Sequence, residues 1–174
     1  MKNNLVTTNI KETFDSNCQN ILLGEWCNPN LDNNIILKNS KTIKFHLDDE
    51  NKLVEDHKYL NELFYKLLEN LTVHMNNIHN EEKSQRYWHI ILGSWLIHQI
   101  SILWDRWECI NKAFKEVNID ETKCIKYNIN ELIASDNDDV NFNYGFGHKW
   151  NHILCSEIIK FKYSSKIKIN FIEQ

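Results

Sequence analysis

The run Ile21-Leu22-Leu23-Gly24-Glu25-Trp26-Cys27 decides how this chain reads. Three consecutive apolar residues ending at a glycine fit a strand covered on both faces, the condition of strands inside a parallel sheet. A strand with one wet face would alternate instead. Leu5-Val6-Thr7-Thr8 before it, and Thr42-Ile43-Lys44-Phe45-His46 after it, add β-branched and aromatic strand candidates. Further on, Cys124 to Tyr127 reads as a strand. Lys166-Ile167-Lys168-Ile169, continuing to Phe171, alternates as a strand with one wet face does.

Between these strands the spacing becomes helical. Leu53, His57, Leu60, Phe64, Leu67, Leu71, Met75 and Ile78 follow one another by threes and fours, which places them on one helical face. Asp48 and Asp49 stand where an N-cap would stand, and the helix is expected to end between Ile78 and Asn80. A second helix is expected from about Ser84 to about Val117. Its middle, Ile90 to Trp104, is apolar nearly all round and reads as a central buried helix. That stretch is shorter than the roughly 20 residues a bilayer span needs, so no transmembrane segment is expected, while peripheral membrane contact stays open. Ile129 to Ala134 reads as a short helix or turn, Ser135 to Asn143 as a loop, and Tyr144 to Gly147 as a turn. A third helix is expected over Lys149 to Tyr163, with Trp150, Ile153, Leu154, Ile158 and Phe161 as its buried side.

Composition agrees with long helices on a sheet. The chain has 174 residues with only 4 Gly and 1 Pro, too few for an all-β chain of tight turns. The length suits a single α/β domain spanning 1–174. A net charge of −4 leaves no electrostatic footprint for nucleic acid, so the expected ligand is a small polar molecule or glycan, or a protein partner. The 5 Cys include no C-x-x-C pair and read as reduced thiols. With no apolar stretch over Met1 to Ile10, they point to the cytoplasm.

The candidate site residues lie where chemistry-bearing types follow strands or open helices. Gly24-Glu25-Trp26 sits at the carboxyl end of an apolar strand, where ligands of open α/β sheets bind. Gly24 would permit a sharp turn there. Glu25 could serve as a base or grip a hydroxyl, and Trp26 could stack on a sugar or base. His46 ends the third strand candidate beside Asp48 and Asp49. Its unperturbed pKa lies near neutral, and a nearby carboxylate would orient its ring. Against this stands helix capping by either Asp. Arg86 opens the second helix, where a cation opposes the helix dipole and calls for an acidic partner or an anionic ligand. Gly93 and Trp95 follow, the glycine suggesting close approach of a backbone or a ligand. Asp105 and Arg106 are helix neighbours pointing about 100° apart, so one of them can face a pocket. His148 and His152 stand four apart, but no third ligand with suitable spacing accompanies them, and no metal is expected. P-loop, G-x-S-x-G and G-x-G-x-x-G motifs are absent.

Taken in order, the pieces form a pattern. Leu5-Val6-Thr7-Thr8 comes first, then Leu22 to Cys27, then His46-Leu47-Asp48-Asp49. Arg86-Tyr87-Trp88 follows, with Leu92-Gly93-Ser94-Trp95-Leu96, then Asp105-Arg106-Trp107-Glu108, then Trp150-Asn151-His152. This resembles the N-terminal region of a family of transferases found in bacterial O-antigen and surface-polysaccharide gene clusters. Members of that family are several times longer, and the position before Trp150-Asn151 is acidic in them, where this chain has His148-Lys149. The resemblance implies a small Rossmann-like parallel sheet flanked by long helices, like one half of a two-domain glycosyltransferase. It also implies that the chain is the front part of a longer enzyme, incomplete alone, with a C-terminal half or partner subunit. The reaction implied is transfer of an activated sugar or related unit from a nucleotide donor to a glycan precursor, without a tightly bound cofactor. Glu25, His46 and Asp48 would be catalytic. Gly24, Trp26, Asp49, Arg86, Trp95, Asp105 and Arg106 would bind substrate, the two arginines steadying donor phosphate. A non-catalytic interaction domain is the alternative, and a metal-dependent hydrolase using His46, Asp48 and Asp49 is a third.

Overall fold

The structure, a computed structural model, describes residues 1–28, 39–140, 142 and 146–173. The turn expected over Tyr144 to Gly147, and the end of the loop expected to Asn143, fall partly outside these residues.

Five strands form one sheet: β1 (Asn3–Val6), β2 (Gln19–Leu22), β3 (Ser40–Thr42), β4 (Glu121–Ile125) and β5 (Lys168–Ile172). Every pairing is parallel, in the order β3-β2-β1-β4-β5. Three long helices complete the α/β fold: α1 (Glu50–His79), α2 (Gln85–Glu116) and α3 (His148–Tyr163). This is the Rossmann-like arrangement the apolar strands lead one to expect. None of the described helices is long and apolar enough to cross a membrane.

The chain divides into two compact units, a sheet unit of residues 1–45 and 106–174 and a helical unit of residues 46–105. In the sheet unit, Leu5 pairs with Ile21 and Val6 with Leu22, and all four are buried. These central strands meet Cys109, Ile110 and Ala113 of α2 and Cys155, Ile158 and Ile159 of α3 in one core. Full burial of each such aliphatic side chain contributes about 1.5–3 kcal/mol before entropy is counted. All 5 cysteines are buried thiols. Desolvation pushes the Cys27 thiol up to about 12, so it acts as a core residue.

Two expectations change in this unit. The third strand stops at Thr42, so His46 opens a separate 3-10 turn (His46–Asp48) instead of ending a strand. Ile153 and Ile158 of α3 are buried as expected, but the buried side also runs through His152, Cys155, Ile159 and Tyr163, while Phe161 is 82% exposed. The steps 152, 155, 159 and 163 follow the helical period, and Phe161 falls off that face.

In the helical unit Asp49 caps α1: its Oδ1 accepts from the backbone N–H groups of Asn51 (3.0 Å) and Lys52 (3.3 Å). Asn80, in the left-handed conformation at φ 52°, closes the other end. The capping reading of Asp49 therefore holds, and Asp49→Ala is expected to lower stability by about 1 kcal/mol, measured by urea unfolding. Phe64 and Leu68 of α1 pack with Leu96 and Ile100 of α2. The expected burial of α2 over its whole middle does not occur. Ile90 is 75% exposed, Ile91 52% and Trp95 45%. Trp88, Leu96 and Ile100 are the buried positions, because within this unit a two-helix hairpin covers one side of each helix and leaves the other bare.

Candidate functional site

The strand order fixes where a ligand can approach the sheet. From β1 the chain moves out to β2 and β3, then returns to β4, so the order reverses between β1 and β4. Such reversal points open a crevice at the carboxyl ends of the strands. At this edge the Trp26 indole N–H donates to the Thr7 carbonyl at 3.1 Å, and the ring meets Phe45 edge-on. Gly24 is extended, at φ −174°, so no turn requires it. A glycine serves here because a Cβ would run into the anchored Trp26 ring. Glu25 is exposed beside it in a 3-10 turn, Glu25–Cys27.

His152 ties this edge together. Its Nε2 accepts from the Ile125 N–H at the end of β4 (3.1 Å), and its Nδ1 lies 2.9 Å from the Thr7 hydroxyl just past β1. Acceptance at Nε2 puts the ring proton on Nδ1, which then donates to Thr7. Burial, aided by the charge of Lys160, holds the His152 pKa down to about 4. His152 is therefore a neutral strut. It shares no site with the exposed His148. On the same unit the Arg106 Nε donates to Asn151 Oδ1 at 2.9 Å, and Asn151 Nδ2 donates to the Gly147 carbonyl where α3 begins.

The helical unit holds a pocket of about 430 Å³, within the range of small-molecule sites. Its walls are Leu47, Leu53, Leu60, Ile97 and Trp104, and its polar side is His46, Asp56 and Asp105 with His57, Asn61 and Ser101. Leu53, Asp56 and Leu60 rise on one face of α1, and Ile97, Ser101 and Trp104 on one face of α2, spaced by threes and fours. His46 is 2% exposed. Its Nε2 stands 2.9 Å from Asp105 Oδ1, and its Nδ1 stands 3.8 Å from Asp56 Oδ2. Lys52, one turn before Asp56, donates to both of its oxygens at 2.8 and 2.6 Å. Trp104 packs at a tilt against Tyr59, 4.7 Å between centroids, and the Lys52 ammonium lies 5.7 Å from the Trp104 ring centre. The result is an imidazole set between two carboxylates at one side of an apolar pocket. Such a group can take or give a proton while its ring orientation is held.

The carboxylates that meet His46 are thus Asp56 and Asp105. Asp48 is exposed and outside the pocket wall, and Asp49 is committed to the helix cap. Arg86 is exposed in the first turn of α2, 19 residues before Asp105, or about 29 Å along the helix. It is not brought to the His46 pocket. Trp95 is not part of the pocket wall either. Gly93 leaves room for the His89 ring, which packs edge-on against Phe64. Two pocket residues escaped the reading of the sequence. Asp56 was visible as a carboxylate inside the apolar face of α1, between Leu53 and Leu60. Trp104 was the one tryptophan outside the recurring motifs.

A family model described as LIC12162 family transferase matches residues 3–174. No curated protein and no solved structure matches the chain.

Proposed function

The chain belongs to the LIC12162 family of transferases, and on that premise we propose that its helical unit receives the acceptor of a group transfer, with His46 as the general base. In this reading an acceptor hydroxyl enters the pocket and gives its proton to His46. The freed oxygen attacks the activated carbon of a sugar or related unit, and the bond to the donor's nucleotide phosphate breaks. The nucleotide leaves with the bonding electron pair. Asp105 keeps the imidazole oriented, and Trp104 supplies an aromatic wall of the kind on which a sugar ring stacks. The observation that carries the proposal is His46 on the wall of a 430 Å³ pocket, 2.9 Å from Asp105.

The charge of the pocket supports an acceptor over a donor. Two carboxylates line it, and they disfavour a phosphate while suiting a polyol. The ordered motifs that resemble transferases of surface-polysaccharide clusters support a surface-glycan precursor as the acceptor.

Titration of the chain with neutral mono- and disaccharides, followed through the His46 imidazole nitrogens by NMR, tests the assignment. Millimolar sugar is expected to shift those resonances, and a nucleoside diphosphate alone is not. No response to any sugar, or a response to the nucleotide only, would reject the pocket as the acceptor site.

A further inference from the structure

The solvent face of α2 is built like the inside of a protein. Between Arg86 and Asp105 the helix contains no Lys, Arg, Asp or Glu. Tyr87, Ile91, Ser94 and His98 follow one another by fours and threes and are all exposed, with Ile90 and Trp95 flanking them. An exposed helix face is normally charged, and α1 has Glu55, Lys58, Glu62, Lys66 and Glu69 on its exposed positions. A stripe without Lys, Arg, Asp or Glu that exposes Ile90, Ile91, Trp95 and Tyr87 together marks an interaction surface.

We propose that this face joins two copies of the chain, α2 against α2, in a twofold dimer. The first argument is symmetry. A twofold interface needs a patch that complements itself. Here small Ser94 stands at the centre, with Ile90 and Ile91 about one turn before it and His98 one turn after. A second copy running antiparallel crosses closely at Ser94 and sets the large groups of each half against the other half. Two hairpins joined in this way make a four-helix arrangement.

The second argument is area. With Ile90 75%, Ile91 52%, Trp95 45% and Tyr87 42% exposed, the face presents roughly 550 Å² per copy once Ser94 and His98 are counted, so a pair would bury on the order of 1,000 Å², the low end of specific interfaces. A lipid surface fits less well. Helices that lie in membranes carry a basic polar face opposite the apolar one. The opposite face of this segment instead carries Trp88, Leu96 and Ile100, which are buried.

Sedimentation equilibrium of the 174-residue chain, with and without Ile91→Glu, tests the proposal. The parent chain is expected at twice 20.9 kDa at tens of micromolar. Ile91→Glu should raise the dissociation constant at least about thirtyfold, as loss of an interface anchor does, with an unchanged circular-dichroism melt of the monomer. Val54→Glu, an exposed position on α1, should leave the dimer intact and serves as the charge control. A monomeric parent at 100 µM (an order-of-magnitude ceiling for specific association) would overturn the proposal, and so would a dimer indifferent to Ile91→Glu. A parent chain that stays monomeric and binds phosphatidylcholine vesicles through this face would replace the second copy by a lipid surface.

Discussion

Replacing His46 by Gln is expected to lower kcat of the transfer reaction by about 10²–10⁴, the usual contribution of a positioned acid–base group. The glutamine amide is close in reach to the imidazole and can still donate to Asp105, which holds His46 Nε2 at 2.9 Å. It cannot take a proton, so the loss should fall on kcat and leave the acceptor KM within a few-fold. Asp105→Asn removes the charge that orients the ring and should cause a smaller loss in the same parameter. The acceptor KM should again stay within a few-fold, which a loss of packing alone would not do. Steady-state kinetics at saturating donor separate these effects. An enzyme within threefold of the parent after His46→Gln would remove His46 from the chemistry and leave its pocket as a binding feature.

The second large effect concerns stability. His152 is 1% exposed and has a pKa held down to about 4, against an ordinary value of 6.5. Between these values the unfolded chain binds a proton that the folded chain does not, so stability rises with pH across this window. The contribution is complete above pH 6.5, declines as the pH falls toward 4, and is spent below it. The shift corresponds to about 3 kcal/mol in total. Urea midpoints of the parent should therefore fall markedly between pH 6.5 and 4.5. The lowered carboxyls of Asp15 and Glu157 lose their stabilising effect at lower pH, so they do not mask the slope. In His152→Ala the additional slope should vanish. The variant should also be about 3 kcal/mol less stable at pH 7, because the Ile125 N–H and the Thr7 hydroxyl lose their buried partner and a cavity remains. Parallel pH slopes for parent and variant would show that His152 does not titrate in this way.

Much of the fold was legible because it rests on local patterns. Ile21 to Leu23 read as a buried parallel strand from three adjacent side chains, and β2 sits between two parallel neighbours. Asp49 read as a cap from its place before a helical period, and its oxygen meets two free N–H groups. The alternation at Lys168 and Ile169 marked the outer strand β5. Where the reading slipped, the local pattern was ambiguous. An all-round apolar run such as Ile90 to Trp104 has no preferred face, so nothing in it says which side a neighbour covers. The site was less legible still. His46 and Asp105 were both recognised as chemistry-bearing, but as members of different motifs 59 residues apart. Asp56 looked like an interruption of an apolar stripe, and His152 like half of a metal pair.

The sequence by itself determined the element types, the parallel sheet and the helix start at Asp49, because periodicity, caps and strand burial act over a few residues and outweigh distant context. It also pointed to a transferase family, and a transferase family model matches residues 3–174. The tertiary structure alone decided which carboxylates meet His46, which tryptophan walls the pocket, and that His152 is a strut. Those outcomes depend on how α1 and α2 pack face to face and how α3 lies on the strand ends. Packing of that kind is set by many weak contacts between residues far apart in the chain, and no single stretch encodes it.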